Sequence, residues 1–183
     1  MTATPIQPGF VLWLMGPTSS GKTTVSNAVV ERLRNAGTTI IHFDGDEVRD
    51  FFGDNLGFNP EDRLRVVSTL IHLAKKVSLA GTNVIVSALT ANPDARKLLD
   101  ENLGDAVIGF IQCSIETCAA RDPKGLYAMA KSGEIDTLVG YNTEYPVLEN
   151  PDIVLDTEND PLDALVDQTI DYLRSSGRLL ERS

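Results

Sequence analysis

The chain is poor in cysteine, aromatic residues and positive charge, and it contains no long apolar run. Cys113 and Cys118 are its only cysteines in 183 residues. Lying five residues apart without neighbouring histidines, they match no metal-site spacing, and reduced, largely buried thiols are expected. Lys and Arg number 16 against 26 Asp and Glu, a formal charge of −10. A surface that acidic repels phosphate backbones, which argues against general nucleic-acid binding and obliges an anionic ligand to find a local positive site. The longest apolar run, Phe10–Met15, falls far short of the ~20 residues that span a bilayer. No membrane association is expected, and without a basic stretch leading into a signal-type apolar segment the expected location is cytoplasmic.

What is present is an ordinary globular balance, 42% hydrophobic and 23% charged, which excludes disorder and fibrous repeats. Residues 1–9 read as a loose lead-in, followed by one domain over 10–175. Strands are expected at Phe10–Met15, Thr39–Phe43, Asn83–Ser87, Val107–Cys113 and Ile153–Leu155. Helices are expected at Lys22–Asn35, around Glu47–Phe52, and at Pro60–Leu79, Pro93–Asn102, Ile115–Arg121 and Pro161–Arg174. Strands alternating with helices predict an α/β fold: a five-stranded parallel sheet inside a three-layer α/β/α sandwich. The stretch 122–151 is polar, rich in glycine and proline, and too long for an ordinary connection; it reads as a mobile lid.

Gly16-Pro17-Thr18-Ser19-Ser20-Gly21-Lys22-Thr23 satisfies G-x-x-x-x-G-K-[ST] between the first strand and the first helix, the context that motif requires. Its glycines let backbone N–H groups converge on phosphate oxygens at a helix N-terminus. Lys22 is expected to reach the β- and γ-phosphates of a nucleoside triphosphate and the Thr23 hydroxyl to ligate Mg²⁺, with Thr24 beside it in the nucleotide site. Asp44 lies at the carboxyl end of the second strand, where ligands of open parallel sheets bind. There it can hold Mg²⁺ through water or accept a proton from an attacking hydroxyl. Arg49 can clamp a phosphate or sulfate.

The order DGDEVR (44–49), LGFNPEDR (56–63), RDPKGLY (121–127), AKSGEI (130–135) and EYPVLENPDIVLDT (144–157) resembles the adenylylsulfate (APS) kinase family over roughly residues 10–157. The resemblance implies a P-loop kinase that phosphorylates the 3′-hydroxyl of adenosine 5′-phosphosulfate. It implies Asp44 near that hydroxyl, Arg49 and Arg63 on the phosphosulfate, and Phe58 stacked on the base. It also places Arg121 beside ATP and Lys124 across the phosphates when the lid closes. Asp46, Ser87, Gly125, Leu126 and Leu138 join the acceptor-binding set on the same ground, and a homodimer is implied.

The departures fall on the acceptor side. Val66 stands where the family has asparagine, Ser68 and Thr69 where it has arginines, and Leu138 where a lid phenylalanine faces the base; Tyr141 or Tyr145 could replace that ring. The acceptor therefore stays open at this level between APS and another nucleotide conjugate, such as the cytidine diphosphoramidate used by a polysaccharide-linked branch of the family. A sugar kinase on the same fold and a silent nucleotide sensor are the remaining alternatives. RDPKGLY and LGFNPEDR oppose the first; the intact Lys22, Thr23, Asp44 and Lys124 oppose the second.

Overall fold

The computed structural model describes residues 6–53, 56–57, 59–146 and 148–179. Its strands are β1 (Val11–Met15), β2 (Ile40–Asp44), β3 (Asn83–Ser87), β4 (Val107–Gln112) and β5 (Ile153–Asp156). Its helices are α1 (Lys22–Asn35), α2 (Gly45–Phe52), α3 (Pro60–Leu79), α4 (Pro93–Leu103), α5 (Ile115–Arg121), α6 (Leu126–Ser132) and α7 (Leu162–Ser175). The five strands form one parallel sheet in the order β2-β3-β1-β4-β5.

All five residues of β1 are buried, as a central strand covered on both faces requires. Side chains alternate across a strand. Leu12 and Leu14 accordingly join the apolar layer under α1 and α7, with Val29, Leu33, Leu165 and Leu173. Val11, Trp13 and Met15 enter the opposite layer under α3 and α4, with Val67, Leu70, Ala74 and Leu99. This is the expected α/β/α sandwich.

Local chemistry explains where the helices start. Asn59 and Asn92 cap α3 and α4, accepting from the backbone N–H of Asp62 and Asp94, each ahead of a proline in the first turn. Two boundaries differ from expectation in ways that matter to the site. Asp44 is the last residue of β2 rather than the first beyond it, and its side chain caps α2 by accepting from the Asp46 N–H. The stretch read as an irregular lid contains α6, bracketed by Gly125 and Gly133 in the left-handed conformation (φ 68° and 79°). Tyr127, Ala130 and Leu138 bury themselves there against Cys118, so this segment carries a small apolar core of its own.

Candidate active site

The turns after β1, β2 and β3 open at the carboxyl edge of the sheet, beside the central strand at which the strand order reverses, the usual ligand crevice of such sheets. A cleft of about 820 Å³ lies there, near the top of the range of about 300–1,000 Å³ for a single-ligand pocket. Thr18, Ser19, Gly21, Lys22, Thr23 and Thr24 line one side, and Asp44, Asp46, Arg49, Arg63 and Ser87 another. Arg121, Lys124, Leu126 and Leu138 close it from the third. Residues from six separate stretches of the sequence thus surround one space. Gly16, Pro17, Ser20 and Gly125 serve as backbone around it instead of lining it. Phe58 lies outside the described residues.

The phosphate loop is strained in the manner of an anion cradle. Gly21 holds φ 97° and Ser19 φ 61°, left-handed values that turn successive N–H groups toward one side. The Ser19 and Ser20 hydroxyls are buried without a partner among the described residues; Ser19 lines the cleft, where a phosphate ligand would remove that cost. Lys22 donates to the carbonyls of Gly16 and Pro17 at 3.0 and 2.6 Å. Burial pushes its ammonium down to about 8, against the pull of Asp46 and then Asp44.

The Thr23 hydroxyl donates to Asp44 across 2.6 Å, and Asp44 is only 5% exposed. These are hard oxygen donors. The described residues hold no cluster of three or more His, Cys, Asp or Glu able to bind a metal. One hydroxyl and one carboxylate nevertheless suit Mg²⁺, which takes most of its ligands from water and substrate phosphates.

Arg49 and Arg63 supply the local positive charge that an acidic chain must find for an anion. Partial burial lowers both guanidinium pKa values, and Arg49 lowers that of Arg63 further. Arg49 donates to the Gly57 carbonyl, and Arg63 to that of Thr137 at 2.6 Å, tying α3 to the lid. Lys124 forms an ion pair with Asp46 across the cleft. Tyr127 donates to the Thr18 carbonyl at 3.1 Å, so the lid also touches the phosphate loop directly.

Neither tyrosine offered as a substitute for the lid ring lines the cleft. Tyr145 does not replace the missing lid ring: its hydroxyl donates to Leu89 O at 2.9 Å and its ring packs on Phe110. Tyr141 meets Tyr127 edge-on, with ring centroids 5.9 Å apart. Val66 and Leu138 do line the cleft, both buried. Ser68 and Thr69 turn their hydroxyls back onto the carbonyls of Leu64 and Arg65. Ser87 is engaged by Ser26 at 2.6 Å and by His42 Nε2 at 2.9 Å. His42 Nδ1 meets Asn27 at 3.0 Å, making it a packing histidine, and burial lowers its pKa. Both thiols are free; burial, reinforced by Cys113, pushes Cys118 up to about 12.

Thr157 is a contributor that reading the sequence missed. Its hydroxyl donates to the Ser20 carbonyl at 2.6 Å, and Arg121 donates to the Thr157 carbonyl at 2.7 Å. Its signals were its place one residue past the fifth strand, at the carboxyl edge of the sheet, and its position as the last residue of the EYPVLENPDIVLDT block.

A parallel α/β/α sandwich with a phosphate loop after β1, an acidic turn after β2 and a basic lid opposite defines a P-loop phosphotransferase. Residues 8–156 match the family described as adenylylsulphate kinase, and the chain belongs to that family. The adenylyl-sulfate kinase of Staphylococcus epidermidis is 39% identical over 168 residues, covering 90% of this chain and 83% of that protein. The Clostridium acetobutylicum adenylyl-sulfate kinase is 37% identical over 172 residues, 92% of this chain and 84% of that protein. Among solved structures, the Mycobacterium tuberculosis APS kinase in complex with AMPPNP and APS superposes with a TM-score of 0.85 at 31% identity, covering 91% of this chain and 98% of that one. No helix among the described residues is long and apolar enough to cross a membrane.

Proposed function

We propose that this chain transfers the γ-phosphoryl group of ATP to the 3′-hydroxyl of adenosine 5′-phosphosulfate, giving 3′-phosphoadenosine 5′-phosphosulfate and ADP. The observation that carries the reading is the single cleft joining the phosphate loop to Asp44, Arg49, Arg63 and Lys124. The relatives of similar length are adenylyl-sulfate kinases, and a structural neighbour binds an ATP analogue and APS together.

In this reading the loop N–H groups and Lys22 hold the β- and γ-phosphates, with Arg121 beside the nucleotide. Arg49 and Arg63 bind the acceptor's phosphosulfate. Asp46, Ser87, Gly125, Leu126 and Leu138 complete the acceptor's surroundings. Asp44 accepts a hydrogen bond from the attacking hydroxyl and then its proton as the γ-phosphoryl passes in line to the oxygen and ADP departs. Thr23 and Asp44 would hold Mg²⁺, which neutralises phosphate charge when bound. A loose, metaphosphate-like transition state needs positioning and cationic neutralisation above all. Lys124 supplies its charge from the lid, which we infer moves about its ends near residues 122 and 151. That arrangement restrains ATP hydrolysis before the acceptor arrives. A cytoplasmic homodimer completes the proposal, its oligomeric state checked by light scattering.

The test is an ATP-coupled screen of APS, cytidine diphosphoramidate and plain nucleotides, with the product's 3′-phosphate identified by NMR. APS-dependent ADP release with a 3′-phosphorylated product is expected. Turnover confined to another acceptor, or ADP release indifferent to any acceptor, overturns it.

A further inference from the structure

Thr157 lies 137 positions from Ser20 in sequence, one residue past β5, yet its side chain is in contact with the phosphate loop. The Thr157 hydroxyl donates to Ser20 O at 2.6 Å, and the Thr157 methyl carbon is 3.4 Å from where a Cβ on Gly21 would stand. The Thr157 backbone N–H is itself anchored, donating to Gln112 O at 3.1 Å. Arg121, the last residue of α5 before the lid, braces the same spot. It donates to Thr157 O at 2.7 Å, to Thr157 Oγ1 at 3.3 Å and to Ser20 O at 3.4 Å.

A peptide unit is planar and trans, so its C=O and N–H point in opposite directions. The unit whose carbonyl Thr157 captures is Ser20–Gly21, and its N–H belongs to Gly21. Gly21, at φ 97°, lies in the backbone region where rotation of this peptide is least opposed by sterics. Nothing in the residue itself would hold the unit in one orientation. We propose that Thr157 is a positioning residue for phosphate binding. By fixing the Ser20 carbonyl on one side, it aims the Gly21 N–H at the β-phosphate of the nucleotide on the other, and Arg121 links this setting to the base of the lid. The inference rests on the reading that the phosphates of ATP occupy this loop.

Two variants and two ligands separate a hydroxyl effect from a packing effect and a phosphate effect from a nucleoside effect. Thr157→Val keeps the bulk and removes the hydroxyl; Thr157→Ser keeps the hydroxyl and removes the methyl. Binding of ADP and of AMP, which lacks the β-phosphate, is measured by calorimetry with competition, alongside KM for ATP and for the acceptor. Thr157→Val is expected to weaken ADP by about five- to tenfold, the scale of one lost hydrogen bond. AMP binding and the acceptor KM should shift by less than about twofold, and KM for ATP should rise with the ADP constant. Thr157→Ser should restore ADP binding to within about twofold of the wild type.

An equal loss for AMP and ADP would make Thr157 a nucleoside contact and overturn the proposal. So would a Ser variant as weak as the Val variant, or a Val variant indistinguishable from the wild type. If the Val variant does not fold, the Ser variant still decides, because a large loss of ADP binding with the hydroxyl present contradicts the idea. Lys22→Ala is the control for the underlying reading. If it binds ADP as tightly as the wild type, the phosphates lie elsewhere and both claims fall. Normal ADP behaviour with no phosphorylation of APS removes only the choice of acceptor.

Discussion

The Thr23 hydroxyl donates to the Asp44 carboxylate across 2.6 Å, joining the first turn of α1 to the last residue of β2. Asp44 also caps α2 through the Asp46 N–H at 2.8 Å. One carboxylate therefore holds two elements at the mouth of the cleft, and its removal has structural as well as chemical consequences. Asn at this position keeps the capping oxygen and loses the charge. Asp44→Asn is expected to lower kcat by about 10²–10⁴, the usual contribution of a positioned acid or base, with the acceptor KM changed far less. Steady-state kinetics with both substrates varied makes the distinction; a loss confined to KM would reduce Asp44 to a structural acid.

Lys22 carries a pH signature. Its ligand-free pKa of about 8 lies below the ordinary 10.5 because burial disfavours the ammonium. Between those values the unfolded chain binds more protons than the folded one, so stability rises with pH across that window. The cost of the buried charge is fully present below about pH 8, on the order of 3 kcal/mol. Lys22→Met is expected to abolish transfer yet stabilise the empty protein at pH 7 by about 1–3 kcal/mol, as the lost bonds to Gly16 O and Pro17 O offset part of the gain. Bound phosphate restores the charged form, so ADP binding near pH 8 should take up protons. Calorimetry in buffers of different ionisation enthalpy reads this directly, and no proton uptake would refute it.

The ion pair between Lys124 and Asp46 joins two half-exposed side chains, 45% and 59% accessible. Pairs of that kind contribute about 0–1 kcal/mol, so incoming phosphate can readily draw Lys124 away. Lys124→Ala should cut kcat by about 10²-fold or more while the melting temperature stays nearly unchanged. The lid's attachment to the loop rests more on the Tyr127 hydroxyl. Tyr127→Phe should speed amide exchange across α6 by about fivefold, the effect of about 1 kcal/mol; protection equal to the wild type would place the restraint elsewhere.

Trp13, fully buried in β1, donates its indole N–H to Thr90 Oγ1 at 2.9 Å. Thr90 holds φ 43°, an uncommon conformation for a β-branched residue. Thr90→Val would retain the backbone strain and orphan the buried N–H, so a loss of about 1–3 kcal/mol is expected. Denaturant unfolding followed by tryptophan fluorescence measures it, and an unchanged midpoint would mean the indole finds another acceptor.

Much of this arrangement is legible in the amino-acid sequence. Val11–Met15 is apolar throughout because both sheet faces are covered, and the G-x-x-x-x-G-K-T run identifies its own turn. Asn59 ahead of Pro60 and Asn92 ahead of Pro93 announce α3 and α4. What escaped was α6. It is seven residues long and buries only Tyr127 and Ala130, too little periodicity to notice, although the glycines at both ends were available as signals. Tyr141 and Tyr145 were candidates for the missing lid ring because sequence distance alone could not show that Phe110 and Tyr127 engage them.

The order of local signals along the chain was enough to determine strand-helix alternation, the phosphate loop and the family, because turns, caps and apolar periodicity act over a few residues. Only the tertiary structure decided which side chains meet across the cleft: Lys124 with Asp46, Arg63 with Thr137, Thr157 with Ser20. Arg63 and Thr137 lie 74 positions apart, and Thr157 and Ser20 lie 137 apart; such contacts exist only once the sheet has ordered its strands β2-β3-β1-β4-β5. The free energy that selects them comes from burying two apolar layers on opposite faces of β1, a property of the assembled core that no short stretch contains.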